Sequence, residues 1–146
     1  MSVQFTVHGQ PVTQGSMRAL ISKATGRAIM LPSKTLAPWR STVAWEARKV
    51  FQGPLIEGPV VLVADFYVRR PKGLPKRWTH AIKKPDLDKL VRAVGDSLSG
   101  VVWRDDSQVI SITATKHYGL TPRVEVFITE VMEDQHRAEE RQEKTK

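Results

Sequence analysis

The segment that most constrains how this chain can fold is the apolar run at residues 60–68. It is rich in β-branched and aromatic side chains and follows the turn signal Gly58-Pro59. A run of this length and composition, bounded by turn residues, is typical of a β-strand. We therefore predict a strand in the centre of a sheet, and the rest of the chain has to supply neighbouring strands and a covering layer.

Three further strands are predicted on either side of this run. Apolar and polar residues alternate over residues 3–7, which is the pattern of a half-buried strand. Two strands near the C-terminal end, at about 109–117 and 123–131, are expected to form a hairpin through the turn at 118–122. The segment after the first strand mixes Pro, Gly, Ser and Arg, and we expect a loop there with at most a short hairpin around residues 24–27.

Two helices complete the predicted fold. Helical spacing of apolar residues indicates one helix after Ser33, ending at about Phe51, and a second over residues 86–98. The elements together predict an α/β (α+β) fold in which a small mixed β-sheet carries two helices. We expect one domain over residues 1–131 and, over residues 132–146, a charged tail that is a frayed helix or disordered.

Composition excludes several classes of protein and site. The chain contains no cysteine, which excludes disulfides, thiolate metal sites and cysteine nucleophiles. The four histidines are scattered without a four-residue spacing, so we treat them as non-ligands. The sequence has neither an apolar run of about 18 residues nor a charged leader followed by an apolar segment. We therefore expect a cytoplasmic protein, in a bacterial or phage-infected cell, that does not associate with a membrane.

The formal charge of +8 favours a polyanionic partner, most often nucleic acid. Residues 69–84 combine Pro and Gly with many cations and are predicted to form an exposed basic loop. In this loop Trp78 could stack on an unpaired base, or could instead pack on the core beneath a merely solvated loop. The loop residues assigned to DNA phosphates are Arg69, Arg70, Lys72, Lys76, Arg77, Lys83 and Lys84.

Two clusters of aspartates contrast with this positive charge. Asp86 and Asp88 lie at the predicted start of the second helix, and Asp105 and Asp106 precede the strand at 109–117. A helix cap or an acidic turn explains either cluster alone. The two clusters together favour a bound divalent cation, because clustered carboxylates repel one another and hard oxygen ligands suit Mg²⁺, or Mn²⁺ in its place. Such a site fits phosphodiester hydrolysis.

These residues closely resemble the motifs of the RusA-like Holliday-junction resolvases, small endonucleases often carried by phages and prophages. The strongest likeness is in Lys84-Pro85-Asp86-Leu87-Asp88 and in Val102-Trp103-Arg104-Asp105-Asp106-Ser107-Gln108-Val109. It extends to residues 9–18, 115–119 and 122–126, and so covers nearly everything before the tail. The resemblance implies a homodimeric α/β protein that binds four-way DNA junctions and cuts two strands symmetrically with Mg²⁺.

The resemblance also implies roles for particular residues. The essential aspartates of the family fall on Asp86, Asp88 and Asp106, which would be both catalytic and metal-binding, with Asp105 as a neighbouring ligand. Arg92 stands where the family has its catalytic lysine, and an arginine supplies positive charge but does not readily donate a proton. Lys89 replaces a family asparagine. Lys89 and Lys116 are further candidates for contact with DNA and for sharing the task of the missing lysine.

Other interpretations remain open at this point. The substitution by Arg92 motivates a non-catalytic protein that binds DNA junctions on the same scaffold. The Asp-x-Asp motif also occurs in phosphatases and glycosyltransferases, but there it normally follows an apolar strand rather than a basic loop. Trp39, Trp45 and Trp103 lie in apolar patterns, so we expect them in the core or at a subunit interface.

Overall fold

In the computed structural model, which describes residues 1–15, 17–32, 34–133 and 140–145, two helices pack on one face of a four-stranded sheet. The predicted α+β fold is therefore confirmed. The elements are β1 (Ser2–His8), β2 (Met17–Ile21), β3 (Ala28–Pro32), α1 (Leu36–Val50), β4 (Val60–Val68), α2 (Leu87–Leu98), β5 (Val109–Tyr118) and β6 (Arg123–Glu130).

The predicted central strand is confirmed as β4, which lies between β5 and β6 in the strand order β1-β6-β4-β5. It runs parallel to β5 and antiparallel to β6. Buried and half-buried side chains alternate along its whole length, so alternate residues such as Leu62 and Phe66 point into the core beneath the helices. The opposite neighbours in β6, Ile128 and Val124, are buried as well.

The predicted hairpin of the last two strands is wrong, because β5 and β6 flank β4 rather than each other. The connection at 118–122 crosses the end of β4, where the Gly119 N–H donates to the Val68 carbonyl at 3.0 Å. A Cβ atom on Gly119 would lie 3.2 Å from the Cβ of Tyr67, so a larger residue would have to displace Tyr67 by a few tenths of an ångström. Turn chemistry alone could not reveal this insertion, since a hairpin and a crossing need the same residue types.

Both helices match their predicted positions and cover the same sheet face. α1 packs against β1 and α2, and it buries Trp39, Val43 and Ala47. α2 buries its apolar stripe, and the fully buried Trp103 follows it. Trp39 and Trp103 are thus core residues as predicted. Trp45 is not, because 61% of its surface is exposed on the outer side of α1.

The short hairpin predicted around residues 24–27 is confirmed and is longer than expected. β2 and β3 form a separate two-stranded sheet, joined by a turn in which Gly26 has the left-handed φ of 67°. Part of the predicted tail, residues 134–139 and 146, lies outside the described residues, and residues 140–144 are helical. The domain boundary near residue 131 stays a prediction. Within the described ranges, no helix is both long and apolar enough to cross a membrane.

Candidate functional site

The start of α2 carries the first aspartate pair. Asp86 is the N-cap residue with extended backbone, yet its carboxylate makes no capping hydrogen bond. It instead accepts a hydrogen bond from the Lys89 Nζ at 3.1 Å. Asp88 lies exposed in the first helical turn, where the N-terminal end of the helix favours negative charge. The cap interpretation therefore does not account for the Asp86 side chain.

The negative charges of Asp86 and Asp88 both act on the Lys89 ammonium. Its hydrogen bond to Asp86, followed by the charges of Asp88 and Asp86, raises the pKa of the Lys89 ammonium above its ordinary value. The ammonium is already protonated at neutral pH, and the raised pKa stabilises that form further. Lys89 thus offsets negative charge at the start of α2.

The second aspartate pair separates into two different environments. Asp105 caps the short 3-10 turn at residues 106–108, because its carboxylate accepts the Ser107 N–H at 3.1 Å. The Gln108 side chain completes this capping box by accepting the Asp105 N–H at 2.7 Å, and it also donates to the carbonyls of Ile56 and Gly58. The Asp106 carboxylate is exposed and makes no hydrogen bond to any residue that the structure describes.

A cavity of about 200 Å³ brings Asp106 and Arg92 together. Arg92 lies one helical turn after Asp88, and Asp96 lies one turn further along the same face of α2. Asp96 lines the cavity too, above a floor that includes the buried Trp103. The cavity therefore combines one guanidinium with two carboxylates. Sequence reasoning missed Asp96, although the spacing of residues 88, 92 and 96 could have indicated it.

The loop that follows β1 lies over this face of α2. The Gln14 backbone N–H donates to the Lys89 carbonyl at 3.0 Å, and the Gln14 side chain donates to the Asp96 carboxylate. The next residue, Gly15, lies so close that an added Cβ would be 3.3 Å from an Arg92 guanidinium nitrogen. Gly15 thus leaves room for the Arg92 guanidinium, and Gln14 holds the loop against α2. The sequence analysis assigned no role to either residue.

The carboxylates suit Mg²⁺ in their chemistry, since hard oxygen donors are its preferred protein ligands. Among the described residues, no three acidic or histidine side chains lie close enough together to form a complete metal site. Mg²⁺ is commonly held by only one or two carboxylates, with water and substrate phosphate as the other ligands. The donors that α2 and the 3-10 turn offer are therefore compatible with a magnesium ion that binds together with a phosphate.

The predicted basic loop is confirmed as an irregular and mostly exposed segment between β4 and α2. Arg70 organises it from within, since its guanidinium donates to the carbonyls of Leu74, Pro75 and Trp78. Trp78 is 39% exposed and lies beneath the Arg77 guanidinium, 5.1 Å from the ring centroid. The exposed residues predicted to contact DNA are Arg69, Lys72, Lys76, Arg77, Lys83 and Lys84.

Lys116 connects this loop to the sheet. Its Nζ donates to the carbonyls of Lys83 and Pro85, each at 2.8 Å. Because Pro85 immediately precedes Asp86, these bonds fix the end of the basic loop and the start of α2 relative to β5. The predicted role of Lys116 in DNA contact or catalysis is therefore joined by a structural one that the sequence did not indicate.

Comparison with known proteins assigns most of the chain to one family model. The model described as Endodeoxyribonuclease RusA matches residues 8–129. A protein of Bacillus subtilis (strain 168), named Uncharacterized protein YqaN, is 34% identical to this chain over 139 residues, covering 88% of this chain and 96% of that relative. The matched residues include the loop over α2, the aspartates and the basic loop.

Proposed function

This chain belongs to the RusA family of endodeoxyribonucleases, and on that premise we propose that it resolves four-way DNA junctions by magnesium-dependent cleavage of two symmetry-related strands. Family membership implies a hydrolytic nuclease that acts on branched DNA. The dependence on magnesium, the paired cuts and the residues responsible are parts of the proposal.

Asp86, Asp88 and Asp106 are the candidate ligands, and the ion would take one or two of them together with water and substrate phosphate, because no three such side chains lie together among the described residues. Asp105 is a weaker candidate because its carboxylate already caps the 3-10 turn. A bound Mg²⁺ would activate water and neutralise charge on the attacked phosphate. The ion pair of Lys89 with the Asp86 Oδ2, at 3.1 Å, leaves the second oxygen of that carboxylate available to a metal ion.

Arg92 would contribute positive charge to the phosphate that is cut. Arg92 lines the cavity that Asp106 also lines. Charge of this kind stabilises the transition state without taking part in proton transfer. Gly15 would act as a positioning residue, because a side chain there would contact the Arg92 guanidinium, and Gln14 would hold this loop on α2 through Lys89 and Asp96.

DNA would approach the site across the basic loop. The exposed cations there would bind phosphates without reading sequence, which suits a nuclease selective for the shape of its substrate. A second copy of the chain would supply the second cut, since two identical sites related by a twofold axis match the symmetry of a four-way junction. Homodimerisation is accordingly part of the proposal.

One observation supports the proposal in addition to family membership. Arg92, one helical turn after Asp88 on α2, shares a cavity with Asp106, which comes from a different part of the chain. The direct test incubates the purified protein with a labelled four-way junction and Mg²⁺, with a linear duplex of the same sequence as control. We expect paired cuts in the junction, none in the duplex and none when EDTA is present. Absence of junction cleavage in Mg²⁺ and in Mn²⁺ would contradict the proposal.

A second candidate function is junction binding without cleavage. Two observations favour it: Arg92 replaces the lysine that the resemblance leads one to expect, and the described residues do not assemble three metal ligands. In the same assay such a protein would shift the junction in a gel and leave it intact. If an Arg92→Lys variant then cut the junction, the loss of catalysis would be traced to this position.

A further inference from the structure

A groove of about 800 Å³ lies between the outer side of α1 and the C-terminal half of α2. We call it the α1 groove, and define it by six of the charged, hydroxyl and aromatic residues of α1 and α2 that line it. These are Arg40, Ser41, Trp45, Arg48, Asp96 and Ser97. Of these residues only Trp45 had a predicted interaction, as a core or subunit-interface residue.

Trp45 is the unusual feature of this groove. It lies on the opposite side of α1 from the core residues Trp39 and Val43, and 61% of its surface is exposed. The Trp45 indole is therefore not part of the hydrophobic core. A large aromatic ring exposed beside a groove of this size is available to a molecule that enters the groove, since burial of such a ring is strongly favourable.

The charges of the groove favour an anionic occupant. Arg40 and Arg48 flank Trp45, about 12 Å apart along the axis of α1. Glu46 forms an ion pair with Lys49 at 3.0 Å, and among the described residues that line the groove only Asp96 is acidic, against two arginines. The Arg40 guanidinium donates to the Asp96 backbone carbonyl at 3.5 Å. The Arg48 guanidinium makes no ion pair with any residue that the structure describes.

The groove is continuous with the candidate site. Asp96 lines both the α1 groove and the cavity that contains Arg92 and Asp106. A DNA strand with one phosphate beside Arg92 would therefore meet the groove as it continues along α2. The two arginines are about 12 Å apart along the axis of α1, so they can contact two different phosphates of one strand, and a base of that strand has to be unpaired to stack on Trp45.

We propose that the α1 groove binds the DNA strand that leaves the cleavage site, with Arg40 and Arg48 on phosphates and a base stacked on Trp45. The inference rests on the proposed function and adds a second DNA contact to it, apart from the basic loop. A second copy of this chain fits the groove less well. A twofold contact centred on Trp45 would bring four arginines together against two copies of Asp96, and would so leave an excess of positive charge in the contact.

The test compares Arg48→Ala with Lys49→Ala, two substitutions that remove the same charge from neighbouring exposed positions of α1, only the first of which lines the groove. Binding to a labelled four-way junction is measured without divalent metal over a range of salt concentrations. We expect Arg48→Ala to weaken binding several-fold and to lower the slope of log affinity against log salt by about 0.9. Lys49→Ala should leave both quantities unchanged.

Trp45 is tested separately for stacking. Trp45→Ala should weaken junction binding by about tenfold, in line with one lost base stack, and Trp45→Phe should keep most of the affinity. Sedimentation of the same variants without DNA measures their oligomeric state. Equal affinities and slopes for Arg48→Ala and Lys49→Ala, with wild-type binding by Trp45→Ala, would overturn the proposal. So would a Trp45→Ala variant that loses self-association and keeps its affinity for DNA.

The failure of this inference can be told from failure of the proposed function. If the wild-type protein cuts the junction and the groove variants bind it normally, only the groove is rejected. If the wild-type protein neither binds nor cuts the junction, the proposed function is rejected and the groove with it.

Discussion

Adjacent aspartates in this chain make different contacts, and these contacts separate their expected roles. The Asp105 carboxylate is occupied by the Ser107 N–H, whereas the Asp106 carboxylate faces the cavity that contains Arg92. An asparagine at position 105 could keep the cap, because Asn caps about as well as Asp. The same substitution at position 106 would remove a charged oxygen that we assign to the metal.

We therefore predict that Asp106→Asn lowers junction cleavage by more than about 100-fold, since even partners in the outer shell of a metal site are typically worth 10–100-fold. Asp86→Asn and Asp88→Asn should have a similar effect. Junction affinity should stay near that of the wild type, because phosphate contacts lie elsewhere. Cleavage rates and gel-shift affinities measure both. Asp105→Asn is the matched control, and a larger loss there than at Asp106 would reverse the assignment.

The charge of Arg92 can be tested by substitution of this one side chain. If its charge acts on the phosphate, Arg92→Ala should slow cleavage by about 10²–10³-fold, the usual effect of one lost transition-state contact. Arg92→Lys should keep most of the activity. Single-turnover rates at saturating protein would measure this without interference from binding. Near-normal cutting by the alanine variant would mean that the Arg92 charge does not act on the phosphate that is cut.

At the scale of elements, the basic loop is expected to act as a unit. Replacing Lys72, Lys76, Arg77 and Lys83 together by alanine should weaken binding to all DNA. It should also reduce the slope of log affinity against log salt by about 0.9 for each residue that contacts a phosphate. Because Arg70 still holds the loop through three carbonyls, the variant should fold normally. Titrations with junction and duplex at several salt concentrations measure the slope. An unchanged slope would mean that the loop is merely solvated.

Most elements could be predicted from local pattern, and most of their partners could not. The run at β4 and the stripe of α2 are visible because burial imposes a period of two on a strand and 3.6 on a helix. β5 pairs with β4 instead of β6. Which of these two partners it takes depends on how apolar the faces of each strand are, so the choice is between segments that are distant in sequence. The sequence analysis therefore placed the strands and mispaired the last two.

The residues of the candidate site could likewise be predicted only in part. The aspartates and Arg92 were found because their residue types and spacing match a family motif. The contacts of Arg70 and Lys116 with loop carbonyls were not predictable, because a basic residue that holds a loop and one that faces DNA look alike in sequence. The exposure of Trp45 was missed because α1 places apolar residues on both of its sides.

At the scale of the whole molecule, the C-terminal tail should be dispensable. Residues 134–146 contain one apolar residue, Ala138, and so offer almost nothing for the core to bury. Deleting them should change the melting temperature by less than about 2 °C, because a loss of 1 kcal/mol would already shift it by several degrees. Junction cleavage should stay within about twofold of the full chain. Thermal unfolding and the cleavage assay measure these outcomes, and a large fall in melting temperature would mean that the tail docks on the domain.

The pairing of β1 with β6 has a consequence for how the chain is made. The Glu130 N–H donates to the Met1 carbonyl at 3.0 Å, and among the described residues β6 is the only strand that pairs with β1. Contacts between such distant segments slow folding, since a long loop must close before they form. A nascent chain that ends before Arg123 would carry two strands with open, unpaired edges. Incomplete chains, rather than the finished protein, are therefore the form most prone to aggregate.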